Sequence, residues 1–486
     1  MRESGVLLPV FSLPGEYSCG SFGEEAFEFV DFLADAGFSW WQLLPVCKTD
    51  GYRSPYMSPA SFAGEETYIS LSLLEKKGLL TKEELQSARQ HSPYLCEWDR
   101  LAAERLFLLR KAFARLADRS QTEAFLEKNP AIARACEFLA LKEQNGGAPW
   151  QEWKTAEPDR GEVLFRGFLQ QEFFGQFFAL KEYANRRGVK LLGDLPFYVS
   201  SDSADVWENR ESFLLDKKGR PRAVAGVPPD YFSPTGQTWG NPLYNWRALE
   251  KNGFSFWRKR LSQAFELYDG LRLDHFRAFA EYWSIPASSP DARSGEWKKG
   301  PGEKMIRLIR SLSGGKTVVA ENLGIIDEKV NALLEKSTFP GMSVLQFGFD
   351  GNPRNPHLPH AYPAHTLCTT GTHDNATFRG FLWEAGEEER KRVLAYMGYP
   401  EEANWDGAWK AAIQMLLRSS AELCIFPVQD LLGFGNDTRT NAPGTVGANW
   451  SFRLTKEAFE TLKSAGWGEM NRLYARGNGK KGENAQ

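Results

Sequence analysis

The sequence lacks a surplus of basic residues and has no long apolar run. Its 59 lysine and arginine residues are balanced by 62 aspartate and glutamate residues, so the net charge is −3 with 25% of the residues charged. Nucleic acids and anionic membranes bind basic surfaces, and this balance argues against both as partners. No stretch approaches the length of a membrane span, and the N-terminus has no signal h-region. We therefore expect a soluble, cytoplasmic protein with an uncharged ligand.

Patterns typical of metal sites and disulfides are also missing. The six cysteines are scattered without a Cys-x-x-Cys pair, and no histidines cluster at zinc-ligand spacing. We interpret the cysteines as reduced residues of the core. There is no phosphate-binding loop and no nicotinamide motif, so the sequence predicts neither a metal nor a cofactor.

Aromatic residues, in contrast, are abundant. The chain holds 16 Trp, 15 Tyr and 34 Phe, an aromatic share of 13%. Aromatic rings bind the C–H faces of sugars or stack on bases. Because a basic surface is absent, sugar is the favoured ligand, although core packing is the commoner role of any single ring.

Short apolar runs alternate with amphipathic helical segments, which indicates βα units and a parallel sheet. Eight runs can be assigned as strands: 6–10, 40–45, 189–194, 270–274, 317–321, 343–346, 367–370 and 423–428. Length alone would allow two to four domains, but an α/β barrel with insertions can occupy a chain of this size. We predict an α/β fold, a single (β/α)8 TIM barrel over residues 1–486.

Three segments are expected to depart from the barrel repeat. Residues 72–145 have a helical pattern and predict a helical insertion, whereas 196–246 is loop-rich and predicts a lid on the acceptor side. Both insertions would lie at the C-terminal face of the barrel. Residues 476–486 predict a flexible tail.

Acidic residues end several of the predicted strands: Asp194, Asp274, Glu321 and Asp374. In a βα barrel these strand ends converge on one face, where the active site lies. Clustered acids repel one another, which costs stability unless they serve chemistry.

The run from Gly270 to Arg277 carries the most informative of these acids. Alternation along a strand puts Arg272 and Asp274 on the same side, where a guanidinium holds a carboxylate ionised. A structural ion pair would explain this stretch taken alone. A metal site is a rival explanation for the whole cluster, but the acids are accompanied by Arg272, His275 and His373 rather than by further acids.

Paired carboxylates without a metal or a phosphate loop indicate glycosyl transfer. One carboxylate attacks the anomeric carbon while a second, protonated carboxyl donates to the leaving oxygen. A separation of about 5 to 5.5 Å between the pair would retain the anomeric configuration. Attack by water then gives hydrolysis, and attack by a sugar hydroxyl gives transfer.

At these residues the sequence resembles the amylomaltases, the 4-α-glucanotransferases or disproportionating enzymes of the α-amylase clan. The resemblance covers nearly the whole chain and is specific through the order and spacing of its motifs. These are Ser54-Pro55-Tyr56, Gly193-Asp194-Leu195-Pro196, Asp202-Ser203-Ala204-Asp205-Val206-Trp207, Arg272-Leu273-Asp274-His275, Ala320-Glu321-Asn322-Leu323-Gly324, Gly371-Thr372-His373-Asp374-Asn375, Gln429-Asp430-Leu431-Leu432-Gly433, Asn441-Ala442-Pro443-Gly444 and Asn449-Trp450.

The resemblance implies a nucleophile at Asp274, a general acid/base at Glu321 and a transition-state stabiliser at Asp374. It also implies a set of substrate-binding residues: Arg272, His373, Asp194, Tyr56, Ser54, Trp239, His275 and Asn441. Within this set Arg272 would bind the nucleophile, Tyr56 would stack on the sugar being cleaved, and Trp239 would stack on the acceptor side.

The implied activity is the transfer of α-1,4-glucan segments to the 4-hydroxyl of glucose or a malto-oligosaccharide, without a cofactor or metal. Two alternatives remain: an α-glucan hydrolase, and a non-catalytic glucan-binding protein, which would be expected to lack at least one of the three acids. Met57, Asn322, Ala376 and Ala278 depart from the family pattern. The oligomeric state is left open.

Overall fold

Eight parallel strands form the centre of the computed structural model, which describes residues 2–229, 233–400 and 404–477. The strands are β1 (Glu3–Leu7), β2 (Trp40–Gln42), β3 (Lys190–Leu195), β4 (Gly270–Leu273), β5 (Thr317–Ala320), β6 (Gly341–Val344), β7 (Thr366–Thr369) and β8 (Leu423–Pro427). Their order in the sheet is β5-β4-β3-β2-β1-β8-β7-β6, so each strand lies beside its neighbours in the chain.

The sheet closes between β5 and β6, the two strands at its ends. The Ala320 N–H donates to the Pro340 carbonyl at 2.9 Å. The side-chain oxygen of Asn322 accepts from the Met342 N–H at 2.7 Å, which substitutes for a further main-chain bond at this seam. The (β/α)8 barrel predicted from the sequence is confirmed.

All eight predicted strands are present. Strand β2 ends at Gln42, three residues earlier than predicted, β1 and β6 are shifted as described next, and the ends of the other five lie within one residue of the prediction. Strand β1 begins three residues earlier than predicted and ends before Pro9, because residues Val10–Ser12 turn into a 3-10 helix. Strand β6 begins and ends two residues earlier than predicted, because Leu345–Gly348 forms another 3-10 helix in place of the strand's predicted end. In both places the apolar run continues beyond the strand, so apolar character alone misplaced the boundary.

Helices pack against the barrel strands, among them Glu24–Asp35, Arg160–Arg186, Ser255–Leu267 and Ala408–Arg418. The α-helices span Glu24–Asp35, Leu71–Lys76, Lys82–Leu85, Trp98–Arg100, Leu106–Ala114, Ser120–Lys128, Pro130–Gln144, Arg160–Arg186, Ala204–Glu208, Trp246–Lys251, Ser255–Leu267, Glu303–Ser313, Glu328–Ser337, Phe378–Glu384, Glu387–Met397, Ala408–Arg418, Val428–Leu432, Lys456–Ser464 and Trp467–Leu473. None of the helices in the described part of the chain combines the length and the apolar character of a bilayer span.

The segment predicted as a loop-rich lid contains regular structure that the sequence did not reveal. Ala223–Val227 and Gln237–Pro242 join Glu281–Pro286 and Glu296–Lys299 in a four-stranded antiparallel sheet. Ala223–Val227 pairs antiparallel with Gln237–Pro242 on one side and with Glu281–Pro286, more than 50 residues further along the chain, on the other. Residues 230–232 of the predicted lid lie outside the described residues.

The other two segment predictions concern residues 72–145 and 476–486. Several of the helices given above lie in 72–145, and its assignment as a separate insertion stays a prediction. Of the predicted flexible tail, residues 478–486 lie outside the described residues. Arg476 is fully buried and donates to the Leu417 carbonyl at 2.6 Å, so it belongs to the packed structure.

Candidate active site

The four predicted acids lie at the carboxyl ends of the barrel strands. Asp194 is within β3, Asp274 follows β4 directly, Glu321 follows β5 directly, and Asp374 lies in the loop after β7. Parallel strands of a closed barrel bring these ends to one face. The following contacts link all four acids into one site.

Arg272 joins the first two acids. Its Nη1 lies 2.8 and 2.7 Å from the two carboxylate oxygens of Asp194 and 3.1 Å from Oδ1 of Asp274. The alternation argument made from the sequence therefore describes the geometry correctly. Burial disfavours the charged guanidinium, but the two carboxylates outweigh burial and raise the pKa of Arg272 well above its usual value.

Tyr56 connects this ion pair to the loop after β7. Its hydroxyl donates to Oδ2 of Asp194 at 2.8 Å, and its ring stacks on His373 with centroids 5.0 Å apart and planes 13° apart. The ring of Trp450 is inclined to both, with centroids 5.9 Å from Tyr56 and 5.8 Å from His373. Trp450 belongs to the motif Asn449-Trp450 but is absent from the predicted site residues.

The carboxylate of Asp374 is held by the side chains of Asn441 and His373. Its Oδ1 accepts from Nδ2 of Asn441 at 2.6 Å, and its Oδ2 lies 3.2 Å from Nε2 of His373. Burial alone would raise its pKa, but the charge and hydrogen bond of His373 and the Asn441 amide lower the pKa to about 2. Asp374 is therefore ionised at neutral pH.

Arg439 fastens this part of the site, and sequence reasoning missed it. It donates from Nη2 to the Asp374 carbonyl and from Nε to the Asn441 carbonyl, the latter at 2.7 Å. The Asn441 N–H in turn donates to the His373 carbonyl at 3.1 Å. The loops after β7 and β8 are thus tied to each other. The only sequence signal for Arg439 was its place two residues before a motif asparagine.

Glu321 is fixed by main-chain groups rather than by side chains. Its Oε1 accepts from the Leu323 N–H at 2.9 Å and its Oε2 from the His275 N–H at 2.7 Å. Burial raises its pKa to about 8; the charge of Asp274 adds to this effect and the charge of Arg272 opposes it. With this pKa the Glu321 carboxyl is mostly protonated at neutral pH.

His275 stands at a tight bend between Asp274 and the next helical turn. Its backbone is left-handed, with φ 48° and ψ 48°, which is uncommon for a residue with a side chain. Trp450 has a left-handed φ of 60° as well. Burial lowers the pKa of the His275 ring to about 4, so the ring is neutral. Strained backbone of this kind is concentrated at functional sites.

The remaining two predicted residues contact the site through their neighbours. The indole of Trp239 meets the ring of His275 edge-on, with centroids 5.0 Å apart and planes 81° apart. Ser54 accepts from the Tyr56 N–H at 3.3 Å, which orders the turn that carries the tyrosine. Ser54 and Asn441 also line a groove of about 840 Å³ formed by the segments 51–54, 96–100, 441–447 and 449–451.

Each oxygen of the four acids except Oδ2 of Asp274 has a partner among the contacts described above. No group of three or more His, Cys, Asp or Glu side chains suited to a metal ion is present among residues 2–229, 233–400 and 404–477. What the arrangement offers chemically is a carboxylate paired with a guanidinium, a protonated carboxyl beside it, and a third, ionised carboxylate.

Comparison with known proteins gives a consistent result. The sequence model of the 4-alpha-glucanotransferase family, glycoside hydrolase family 77, matches residues 8–458. The 4-alpha-glucanotransferase of Thermus thermophilus is 42% identical over 477 residues, covering 93% of this chain and 95% of the relative. That of Synechocystis sp. is 38% identical and covers 98% of both chains.

Solved structures agree. The amylomaltase from Streptococcus agalactiae in complex with acarbose is 35% identical, with a TM-score of 0.93 over 98% of this chain and 100% of that one. The amylomaltase from Corynebacterium glutamicum, at 18% identity and a TM-score of 0.82, shares the fold. This chain therefore belongs to the 4-alpha-glucanotransferase family, the amylomaltases, and is an enzyme that transfers segments of α-1,4-glucan between chains.

Proposed function

We propose that the transfer is a retaining double displacement in which Asp274 is the nucleophile, Glu321 the general acid and base, and Asp374 the stabiliser of the transition state. The observation that carries this proposal is the pair formed by Asp274 and Glu321. One carboxyl group is ion-paired with Arg272, and the other, beside it, has a pKa raised to about 8. A carboxylate held by a guanidinium suits a nucleophile, and a neighbouring carboxyl group with a raised pKa suits a general acid.

In the first step a carboxylate oxygen of Asp274 attacks the anomeric carbon of the donor. The glycosidic C–O bond breaks, and Glu321 gives its proton to the leaving oxygen, which departs as the 4-hydroxyl of the released chain. The product on the enzyme is a glycosyl ester of Asp274 with inverted configuration. The main-chain donors at residues 275 and 323 keep the Glu321 carboxyl in place during the proton transfer.

In the second step the same groups run in reverse. Forming the ester removes the negative charge of Asp274, which was one of the causes of the high pKa of Glu321. Glu321 thereby becomes suited to accept a proton from the 4-hydroxyl of an acceptor sugar. That oxygen attacks the anomeric carbon, the ester bond breaks, and the second inversion restores the original configuration.

Asp374 supports both transition states by its fixed negative charge. The anomeric carbon develops positive charge as the C–O bond breaks, and a carboxylate that stays ionised stabilises it. The His373 and Asn441 contacts hold the pKa of Asp374 at about 2, so this charge is not lost at neutral pH. His373 is also proposed to bind hydroxyls of the sugar that is cleaved.

The contacts around the acids support the proposed substrate-binding roles. Tyr56 is the proposed platform for the donor sugar, since its hydroxyl is tethered to Asp194 and its ring is backed by His373. Ser54 supports that platform through the Tyr56 N–H. Trp239, beside His275, is the proposed acceptor-side platform and shields the glycosyl ester from water.

The proposed donors are α-1,4-glucans and the proposed acceptors are glucose and malto-oligosaccharides. Maltotriose supplied alone, without metal or nucleotide, tests this directly. We expect glucose together with a ladder of longer oligosaccharides and almost no gain in reducing ends. Asp274→Asn, Glu321→Gln and Asp374→Asn should each abolish the ladder. Rising reducing ends without longer products would instead identify a hydrolase, and full turnover by any of the three variants would refute the assigned role.

A further inference from the structure

One tryptophan stands on the surface although nothing in the proposed mechanism uses it. Trp383 has 59% of its side chain exposed, whereas the other fifteen tryptophans are buried or half-buried. Burial of an indole contributes a large share of apolar free energy to folding. An indole that stays exposed to water is therefore a candidate contact for a ligand.

The indole of Trp383 is held in a fixed orientation. Its Nε1 donates to Oδ1 of Asp406 at 3.1 Å, and the guanidinium carbon of Arg379 lies 5.2 Å from its ring centroid. Arg379 is itself fixed, because it donates to both oxygens of Asp406 at 2.8 and 2.5 Å and to the Gly433 carbonyl at 2.9 Å. The rotamer entropy that a ligand would otherwise have to remove is already lost.

A second tryptophan precedes the aspartate that holds the first in place. Trp405 directly precedes Asp406 and is half-buried, with the guanidinium carbon of Arg390 4.8 Å from its ring centroid. Arg390 donates to the Ala385 carbonyl at 3.0 Å, just past the helix that carries Trp383. We call the group formed by Trp383, Trp405, Arg379, Arg390 and Asp406 the Trp383 patch.

The Trp383 patch lies outside the catalytic acids but close to them along the chain. Helix Phe378–Glu384 begins after the loop that carries Asp374, and Thr377 caps it. At about 1.5 Å per residue, Trp383 is about 9 Å along this helix from its cap. Asn436 accepts from the Thr377 N–H at 3.0 Å and donates to Glu384 at 2.6 Å, which fixes the helix on the barrel.

The charge of this surface favours a neutral ligand. Arg379 is ion-paired with Asp406, and Arg390 and Glu384 add one charge of each sign, so these four residues offer donors and acceptors without a net charge. A planar apolar ring rimmed by such groups suits a sugar, whose C–H face stacks on the ring while its hydroxyls bind the charged rim.

We propose that the Trp383 patch is a second α-glucan-binding site, separate from the catalytic pocket, which holds a distant segment of a long chain or a branched glucan. The proposal rests on the enzyme's action on α-glucans. Long glucans would be bound at two points, and short oligosaccharides would reach only the catalytic pocket. Removing the patch should therefore weaken binding to a polysaccharide without changing the turnover of a trisaccharide.

The test uses the full chain in native gels cast with and without glycogen, beside the maltotriose assay. Three variants are compared: Trp383→Ala, Trp383→Phe and, as a matched control, Phe107→Ala. Phe107 is also 59% exposed and also has a cation over its ring, with Nζ of Lys111 at 4.7 Å from the centroid. It lies on a different helix, Leu106–Ala114.

We expect Trp383→Ala to weaken retardation by glycogen about three- to tenfold, as loss of one stacking ring implies. Trp383→Phe should keep most of the retardation, Phe107→Ala all of it, and all three should turn over maltotriose at the normal rate. Equal retardation of Trp383→Ala and the unchanged chain would overturn the proposal. The proposal would also be overturned if the unchanged chain self-associated, and Trp383→Ala alone abolished this self-association without changing glycogen binding. The Trp383 patch would then bind a second copy of the chain.

The outcome is separable from that of the proposed mechanism. If the unchanged chain failed to disproportionate maltotriose, the mechanism would fail while glycogen retardation still reported on the patch. If Trp383→Phe and Trp383→Ala both lost maltotriose turnover with unchanged melting curves, Trp383 would act through the catalytic pocket, and the separate site would be refuted.

Discussion

The main-chain N–H of His275, the residue directly after the proposed nucleophile Asp274, donates to Oε2 of Glu321 at 2.7 Å. The segment that carries Asp274 thus also positions the proposed acid/base. Because the second oxygen of Glu321 is held by another main-chain N–H, at Leu323, its carboxyl group is placed by backbone geometry rather than by flexible side chains. This arrangement is the preorganisation that a two-step displacement requires.

The raised pKa of Glu321 predicts an alkaline limit to activity. A general acid must be protonated, and with a pKa of about 8 the protonated fraction falls about tenfold per pH unit above that value. We expect kcat/KM for maltotriose to fall above about pH 8.

A donor whose leaving group needs no proton provides the control for this prediction. With α-maltosyl fluoride, Glu321→Gln should still form the glycosyl ester and release fluoride, and the alkaline decline of that step should disappear. An unchanged alkaline limb in Glu321→Gln would show that another group titrates.

Two substitutions of Tyr56 separate its hydroxyl from its ring. Tyr56→Phe removes one hydrogen bond to Asp194, which keeps its two contacts with Arg272, so we expect a loss of about fivefold in kcat/KM. Tyr56→Ala also removes the stacking face and should cost about tenfold more. Steady-state kinetics with maltotriose distinguish the two. Equal losses would mean that the ring is not a platform for the sugar.

Arg439 should act on catalysis by positioning Asp374. Since its two donors go to the carbonyls of Asp374 and Asn441, Arg439→Met should loosen both loops and lower kcat while KM changes little. Arg439→Lys should recover part of kcat. Arg293→Met, which removes an exposed ion pair with Asp291, is the control and should leave kcat unchanged. A rise in KM alone would instead assign Arg439 to substrate binding.

Trp239 should govern the choice between transfer and hydrolysis. Removing the indole beside His275 opens the acceptor side, so Trp239→Ala should raise the share of glycosyl ester that is lost to water. Trp239→Phe should preserve transfer. The ratio of new reducing ends to longer oligosaccharides from maltotriose measures this effect, and a ratio unchanged in Trp239→Ala would contradict the shielding role.

The sequence was informative wherever one strand could be read by itself. The period of two along a strand placed Arg272 beside Asp274, and the repeat of strand ends placed four acids on one face. It was uninformative where distant segments meet. The four-stranded antiparallel sheet pairs Ala223–Val227 with Glu281–Pro286, and Arg439 donates to the carbonyl of Asp374, 65 residues earlier in the chain. At the left-handed bend, the His275 N–H likewise donates to Glu321, 46 residues further along the chain, a contact that no local pattern encodes.

The most direct measurement is to trap the covalent intermediate. Glu321→Gln is mixed with α-maltosyl fluoride, quenched in acid, digested, and examined by peptide mass spectrometry. The mechanism predicts one peptide heavier by a maltosyl unit, with the modification on Asp274, and no such peptide in Asp274→Asn carrying the same Glu321→Gln change. A maltosyl unit on Asp194, Asp374 or any other residue would contradict the assignment of Asp274 as the nucleophile.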